Sequence, residues 1–134
     1  MRVVTLMAAE KIRILIVDDD LDARHSLGVF LSLAGMNVAL AASTAEARKI
    51  LPSFQPRVVI SDLAMPEEDG FALIEKIRQA EERSGGHLPV IAMTGLADPT
   101  VRQRALQAGF DKYFVKPINP AAILSSVRQV AASA

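Results

Sequence analysis

The stretch "ILIVDDD", residues 14–20, decides how this chain is read. Four apolar residues, Ile14 to Val17, look like a strand buried in a core. Asp18, Asp19 and Asp20 are then crowded where that strand surfaces. Two carboxylates about 4 Å apart repel by about 4 kcal/mol at an effective dielectric of 20. Something else in the chain must offset that repulsion.

Around this stretch, apolar strand-like runs alternate with helix-like segments. "IRILIV" (12–17) is the first strand, and Leu27, Phe30, Leu31 and Ala34 recur at helical spacing after it. Gly35 is placed to end that helix, which starts near Leu21. "NVALA" (37–41) is a weaker second strand. Ser43-Thr44-Ala45-Glu46 is a capping box that opens a helix to about Leu51. "RVVIS" (57–61) is the third strand, and Phe71, Ile74 and Ile77 mark the third helix beyond a loop containing Pro66 and Gly70. "SGGH" (84–87) is a turn and "PVIAM" (89–93) the fourth strand. Asp98-Pro99 reads as N-cap and first helical residue, with Gly109 at the far end. "KYFV" (112–115) is the fifth strand, and Asn119-Pro120 opens a last helix over Ala121 to Ala132.

Five strands alternating with five helices predict an α/β fold. The expected architecture is a doubly wound parallel sheet with the flavodoxin-like strand order 2-1-3-4-5. Right-handed crossovers put the C-terminal end of every strand on one edge. Ligands of such sheets bind along that edge, at the switch in strand order.

Composition narrows the field. The chain has 134 residues, 51% apolar and 22% charged, which suits one globular domain. Fifteen basic residues balance fifteen acidic ones, which argues against direct nucleic-acid binding. Cysteine is absent, so there is no thiolate nucleophile or thiolate metal site, and a reducing cytoplasm is compatible. No apolar run approaches the roughly 20 residues that span a bilayer, so no membrane partner is expected. The start, "MRVVTLMAAEKIR", lacks a convincing cleavage site and reads as an N-terminal extension over residues 1–11. Met7 is an alternative start. The domain proper is expected over 12–132, with no output domain in the sequence.

The informative residues are those at the strand ends. Strand one ends in the aspartate triplet, strand three in Asp62, strand four in Thr94 and strand five in Lys116. Strand two ends in Ala41-Ala42 and contributes nothing comparable. Clustered carboxylates without sulfur or a nearby histidine favour a hard cation, Mg²⁺ or Mn²⁺. A lysine and a hydroxyl add charge and hydrogen bonding for a phosphoryl group. One carboxylate can attack phosphorus and become an acyl phosphate.

On the stretches "ILIVDDD", "VVISDLAMPEEDG", "PVIAMTG" and "YFVKP", the chain resembles a response-regulator receiver domain of two-component signalling. The resemblance implies that Asp62 is the phosphoacceptor. It implies that Asp18, Asp19, Asp62 and the backbone carbonyl of Ala64 hold Mg²⁺, with Asp19 the more direct ligand of the pair. Thr94 matches the switch hydroxyl, Lys116 the family's site lysine, and Tyr113 the aromatic that swings as Thr94 moves. Lys116–Pro117 is expected to be a cis peptide, which proline permits. A sensor histidine kinase or histidine phosphotransfer protein would donate the phosphoryl group. An unidentified protein target would read a surface made of the fourth helix, fifth strand and fifth helix.

Plainer roles remain for the neighbouring residues. Asp20 and Asp69 are expected as helix caps and Asp22 as first-turn charge. Glu67 and Glu68 are expected in solvent, and His25 and His87 on the surface. A Mg²⁺ phosphohydrolase would want a general acid two residues after Asp62, where Ala64 stands. A flavin mononucleotide binder would want a phosphate loop where the anionic triplet stands. A signalling domain, not an enzyme, is therefore expected, acting as a stand-alone cytoplasmic receiver. Ala64 and Leu96, two residues beyond Asp62 and Thr94, cannot orient an attacking water, which predicts slow loss of the phosphoryl group.

Overall fold

The computed structural model describes residues 11–65 and 68–133. Along the chain it forms β1 (Arg13–Val17), α1 (Leu21–Leu33), β2 (Asn37–Ala41), α2 (Thr44–Phe54) and β3 (Val58–Asp62). α3 (Gly70–Ser84), β4 (Val90–Thr94), α4 (Pro99–Ala108), β5 (Lys112–Val115) and α5 (Pro120–Ser133) complete it. The strands pair in parallel in the order β2-β1-β3-β4-β5, the expected flavodoxin-like arrangement. Of the expected N-terminal extension, residues 1–10 lie outside the described residues, as do Pro66 and Glu67.

The strand period of two divides the core into two layers. Ile14, Ile16, Val58, Ile60, Ile91 and Met93 pack against Leu27 and Leu31 of α1 and Ile123 and Val127 of α5. Leu15, Val17, Val59, Val90 and Ala92 pack against Ala47 of α2, Leu73 and Ile77 of α3 and Ala105 of α4. Both faces of the central strands are covered, which is why they read as unbroken apolar runs.

The helix ends obey the local chemistry. Asp20, Ser43, Asp69 and Asp98 each accept backbone N–H groups in the first turn of the helix they precede. The reciprocal half of the capping box is present as well, Ala42 N–H donating to Glu46 Oε1 at 2.8 Å. One helix departs from expectation. α2 runs past Leu51 to Phe54 with Pro52 inside it. Pro52 lacks an N–H, so the Arg48 carbonyl loses its helical partner. The turn persists because Gln55, at φ 50°, closes it with a bond from its N–H to Leu51 O. Arg13 Nε also donates to Phe54 O at 3.0 Å and Gln55 O at 2.9 Å. Contacts at the helix end hold the helix past Pro52.

Candidate functional site

Strand register brings the polar residues level. Val17 of β1 stands opposite Ser61 of β3, so Asp18 and Asp62, the next residue on each strand, emerge side by side. Chain order reverses between these two strands, so the pair flanks the crevice where ligands bind in such sheets. Asp62 pairs with Met93 and Thr94 with Val115, which carries Thr94 and Lys116 to the same edge. Asp18, Asp62 and Thr94 are buried, while Asp19 and Asp20 are exposed.

Lys116 organises the cluster. Its Nζ donates to Asp18 Oδ2 at 2.9 Å and to Asp62 Oδ2 at 2.8 Å. The second oxygen of Asp62 accepts the Ala64 N–H at 3.0 Å, and that of Asp18 accepts the Asp20 N–H at 2.9 Å. Burial pushes the Asp62 carboxyl above the usual range, and the Asp18 charge adds to this. The Lys116 hydrogen bond and charge and the Ala64 amide oppose it without cancelling it. Lys116 itself is pulled down by burial, but hydrogen bonds and charge from Asp62 and Asp18 outweigh this and raise it.

Carboxylate oxygens of Asp18, Asp19 and Asp62 all lie within 4.8 Å of one another. The donors are hard oxygens, with no sulfur or imidazole among them, so the set fits Mg²⁺ or Mn²⁺. Ala64, whose carbonyl is the further candidate ligand, is exposed beside Asp62.

Thr94 connects to the surface through one residue. Its Oγ1 accepts the Leu96 N–H at 3.1 Å, and Leu96 O accepts the Tyr113 hydroxyl at 2.9 Å. Lys116 N–H donates to Thr94 O at 2.7 Å, and the Lys116–Pro117 peptide is cis. Asp18, Asp19, Asp62, Thr94 and Lys116 thus share the edge, with Ala64 and Tyr113 at its margins. Asp20 faces away and caps α1 through the N–H groups of Asp22 and Ala23.

Two contacts near the site carry no sequence signal. Arg24 Nη1 donates to Asp18 O at 2.7 Å, and the buried Thr44 hydroxyl donates to backbone carbonyls of the β3–α3 connection. His25 is exposed. His87 is also exposed but not idle: its Nε2 lies 2.7 Å from Asp111 Oδ1, at the opposite edge of the sheet.

The response regulator receiver domain family matches residues 14–128. A 14.6 kDa protein of Leptolyngbya boryana is 41% identical over 116 residues, covering 87% of each chain. Response regulator Rre1 of Synechocystis is 36% identical over 125 residues; the match takes in 92% of this chain but only 53% of the relative, so the chain spans about half its length. Among solved structures, the Vibrio cholerae chemotaxis protein CheY4 superimposes with a TM-score of 0.82 at 28% identity, covering 90% of this chain and 99% of that one.

Proposed function

The chain belongs to the response regulator receiver domain family, and from that premise we propose that it accepts a phosphoryl group on Asp62 and so switches a protein-binding surface. The observation that supports this best is the Lys116 ammonium shared by two buried carboxylates within the acidic cluster. The proposed extent of the receiver is 12–132, with residues 1–11 as an extension.

The donor is a phosphohistidine on a sensor histidine kinase or histidine phosphotransfer protein. An Asp62 oxygen attacks phosphorus, the N–P bond breaks as the O–P bond forms, and the imidazole leaves with the electron pair. Asp18, Asp19, Asp62 and the Ala64 carbonyl would hold Mg²⁺. When bound, that ion supplies positive charge between the carboxylates and the phosphoryl oxygens.

Lys116 already lies 2.8 Å from Asp62 Oδ2, so its ammonium needs little movement to reach a new phosphoryl oxygen. The Thr94 hydroxyl keeps its own hydrogen free of the Leu96 bond, in which it is the acceptor, and can donate to the phosphoryl group. Turning inward breaks the Leu96 contact and loosens the hold of Leu96 on Tyr113. That biases the surface made of α4, β5 and α5, which an unidentified protein target reads. The acyl phosphate is long-lived because Ala64 and Leu96 offer no group to orient water. This is signalling in the cytoplasm, not substrate turnover.

Acetyl phosphate with Mg²⁺ should add one phosphoryl group per chain, seen by intact-mass spectrometry. Asp62→Asn should take none. Equal labelling of that variant at another residue would remove Asp62 from the reading.

A further inference from the structure

One buried hydroxyl bonded to the β3–α3 connection is not among the groups assigned above. Thr44, the first residue of α2, is 1% exposed. Its Oγ1 donates to Glu68 O at 3.0 Å and Asp69 O at 3.2 Å, a three-centre bond from a single hydrogen. The acceptors lie 24 and 25 residues away in the sequence. α2 touches the same segment again through Arg48 Nη1, 3.9 Å from Glu68 Oε1. That pair is half-exposed and adds little on its own.

The segment that Thr44 grips leads straight into the site. Asp69 caps α3 by accepting the Ala72 N–H at 3.0 Å, and Gly70 N–H donates to Leu63 O at 3.1 Å. A Cβ on Gly70 would lie 2.3 Å from Asp62 O and 3.0 Å from the Leu63 Cα. The first residue of α3 therefore rests on the backbone of Asp62 with no space between them. The start of α3 is thus in backbone contact with Asp62, whose Oδ1 accepts the Ala64 N–H.

We propose that Thr44 is a positioning residue for phosphoryl acceptance: its hydroxyl fixes where α3 begins, and α3 fixes the Asp62 backbone and the Ala64 carbonyl. The proposal rests on the reading of Asp62 as phosphoacceptor. Thr44 acts only through Asp69 and Gly70 and touches neither the phosphoryl group nor the ion. A valine in its place keeps the shape but leaves two carbonyls without their donor.

The test compares Thr44→Val and Thr44→Ser with the wild type. The readouts are the acetyl phosphate labelling rate across a Mg²⁺ titration and the exchange rate of the Gly70 amide without metal. Thr44→Val should speed Gly70 exchange and weaken the apparent Mg²⁺ affinity for labelling, each by about fivefold, the loss of one neutral hydrogen bond. Thr44→Ser should stay within about twofold of wild type in both, because it restores the donor. Thr44→Ala replaces the valine variant if that one does not fold.

Labelling by Thr44→Val that matches wild type overturns the role, even if exchange changes. A serine variant as defective as valine also overturns it, since packing rather than the hydrogen bond would then be at work. A wild type that takes no phosphoryl group on Asp62 overturns the phosphoacceptor reading and this role with it. The wild-type labelling thus separates the two failures.

Discussion

Lys116 Nζ stands 2.8 Å from Asp62 Oδ2, although β5 and β3 do not pair and β4 lies between them. The same ammonium reaches Asp18 Oδ2 at 2.9 Å, across the width of three strands. One cation is thus shared by two buried carboxylates, with a third, Asp19, exposed beside them. The group retains two formal negative charges, the complement of a divalent ion. Within the cluster of Asp18, Asp19 and Asp62, the protein itself offsets only one of three negative charges.

The raised Asp62 carboxyl makes a prediction about stability. Above the ordinary carboxylate pKa of 3.8 the unfolded state gives up this proton more readily than the folded state. The folded state therefore binds more protons, and the Asp62 contribution to stability falls as pH rises through that window. At neutral pH the ionised side chain is a burden on the fold. Asp62→Asn, which leaves the Lys116–Asp18 pair intact, should unfold at a higher temperature than wild type at pH 7. The gain should vanish near pH 3. A lower melting temperature for the variant at pH 7, by calorimetry without metal, would contradict the assignment.

Mg²⁺ should stabilise the protein through the same charges. A ligand that binds only the folded state at one hundred times its dissociation constant adds about 2.7 kcal/mol. Melting curves should therefore shift upward with Mg²⁺. Asp19 is exposed, so Asp19→Asn should change the metal-free melting temperature little and remove most of the Mg²⁺ shift. A full shift in that variant would exclude Asp19 as a ligand.

The polar edge was legible in the sequence because a parallel sheet aligns its strand ends. Asp18, Asp62, Thr94 and Lys116 each extend or close an apolar run, and parallel register does the rest. Caps at Asp20, Asp69 and Asp98 were legible for the same local reason: short polar side chains precede helical patterns. Thr44, Arg24 and Arg78 were not. Each bonds to backbone carbonyls, those of Thr44 and Arg78 reaching 24 and 31 residues away, and such pairings leave no periodicity. The extension of α2 past Pro52 was missed because Gln55 and Arg13 hold the turn from outside the helix.

Tyr113 offers a spectroscopic view of the switch. It is the chain's sole tyrosine, and there is no tryptophan, so intrinsic fluorescence reports this ring alone. Its hydroxyl is tied to Thr94 only through Leu96. Beryllofluoride with Mg²⁺ should change the tyrosine emission of the wild type. Thr94→Val, which keeps the bulk and loses the hydroxyl, should bind beryllofluoride but show little of that change. An identical response in the variant would mean that the ring moves independently of Thr94.

At the opposite edge, Arg78 uses every guanidinium hydrogen. Nε and Nη2 donate to Gly109 O at 3.2 and 2.8 Å, and Nη2 also to Asp111 Oδ2 at 3.0 Å. Nη1 donates to Glu81 Oε2 at 2.7 Å and Leu88 O at 2.8 Å. One side chain thereby joins α3, the end of α4 and the entries to β4 and β5. Removing it leaves Glu81 and Asp111 partly buried without their cation, so Arg78→Ala should lose about 3 kcal/mol in urea unfolding. Lysine has three hydrogens on one nitrogen and cannot span these acceptors, so Arg78→Lys should recover less than half of that. Because the network sits at the strand N-termini, both variants should still label at Asp62 wherever they remain folded. A lysine variant as stable as wild type would show that charge alone, not the planar fork, holds this edge together.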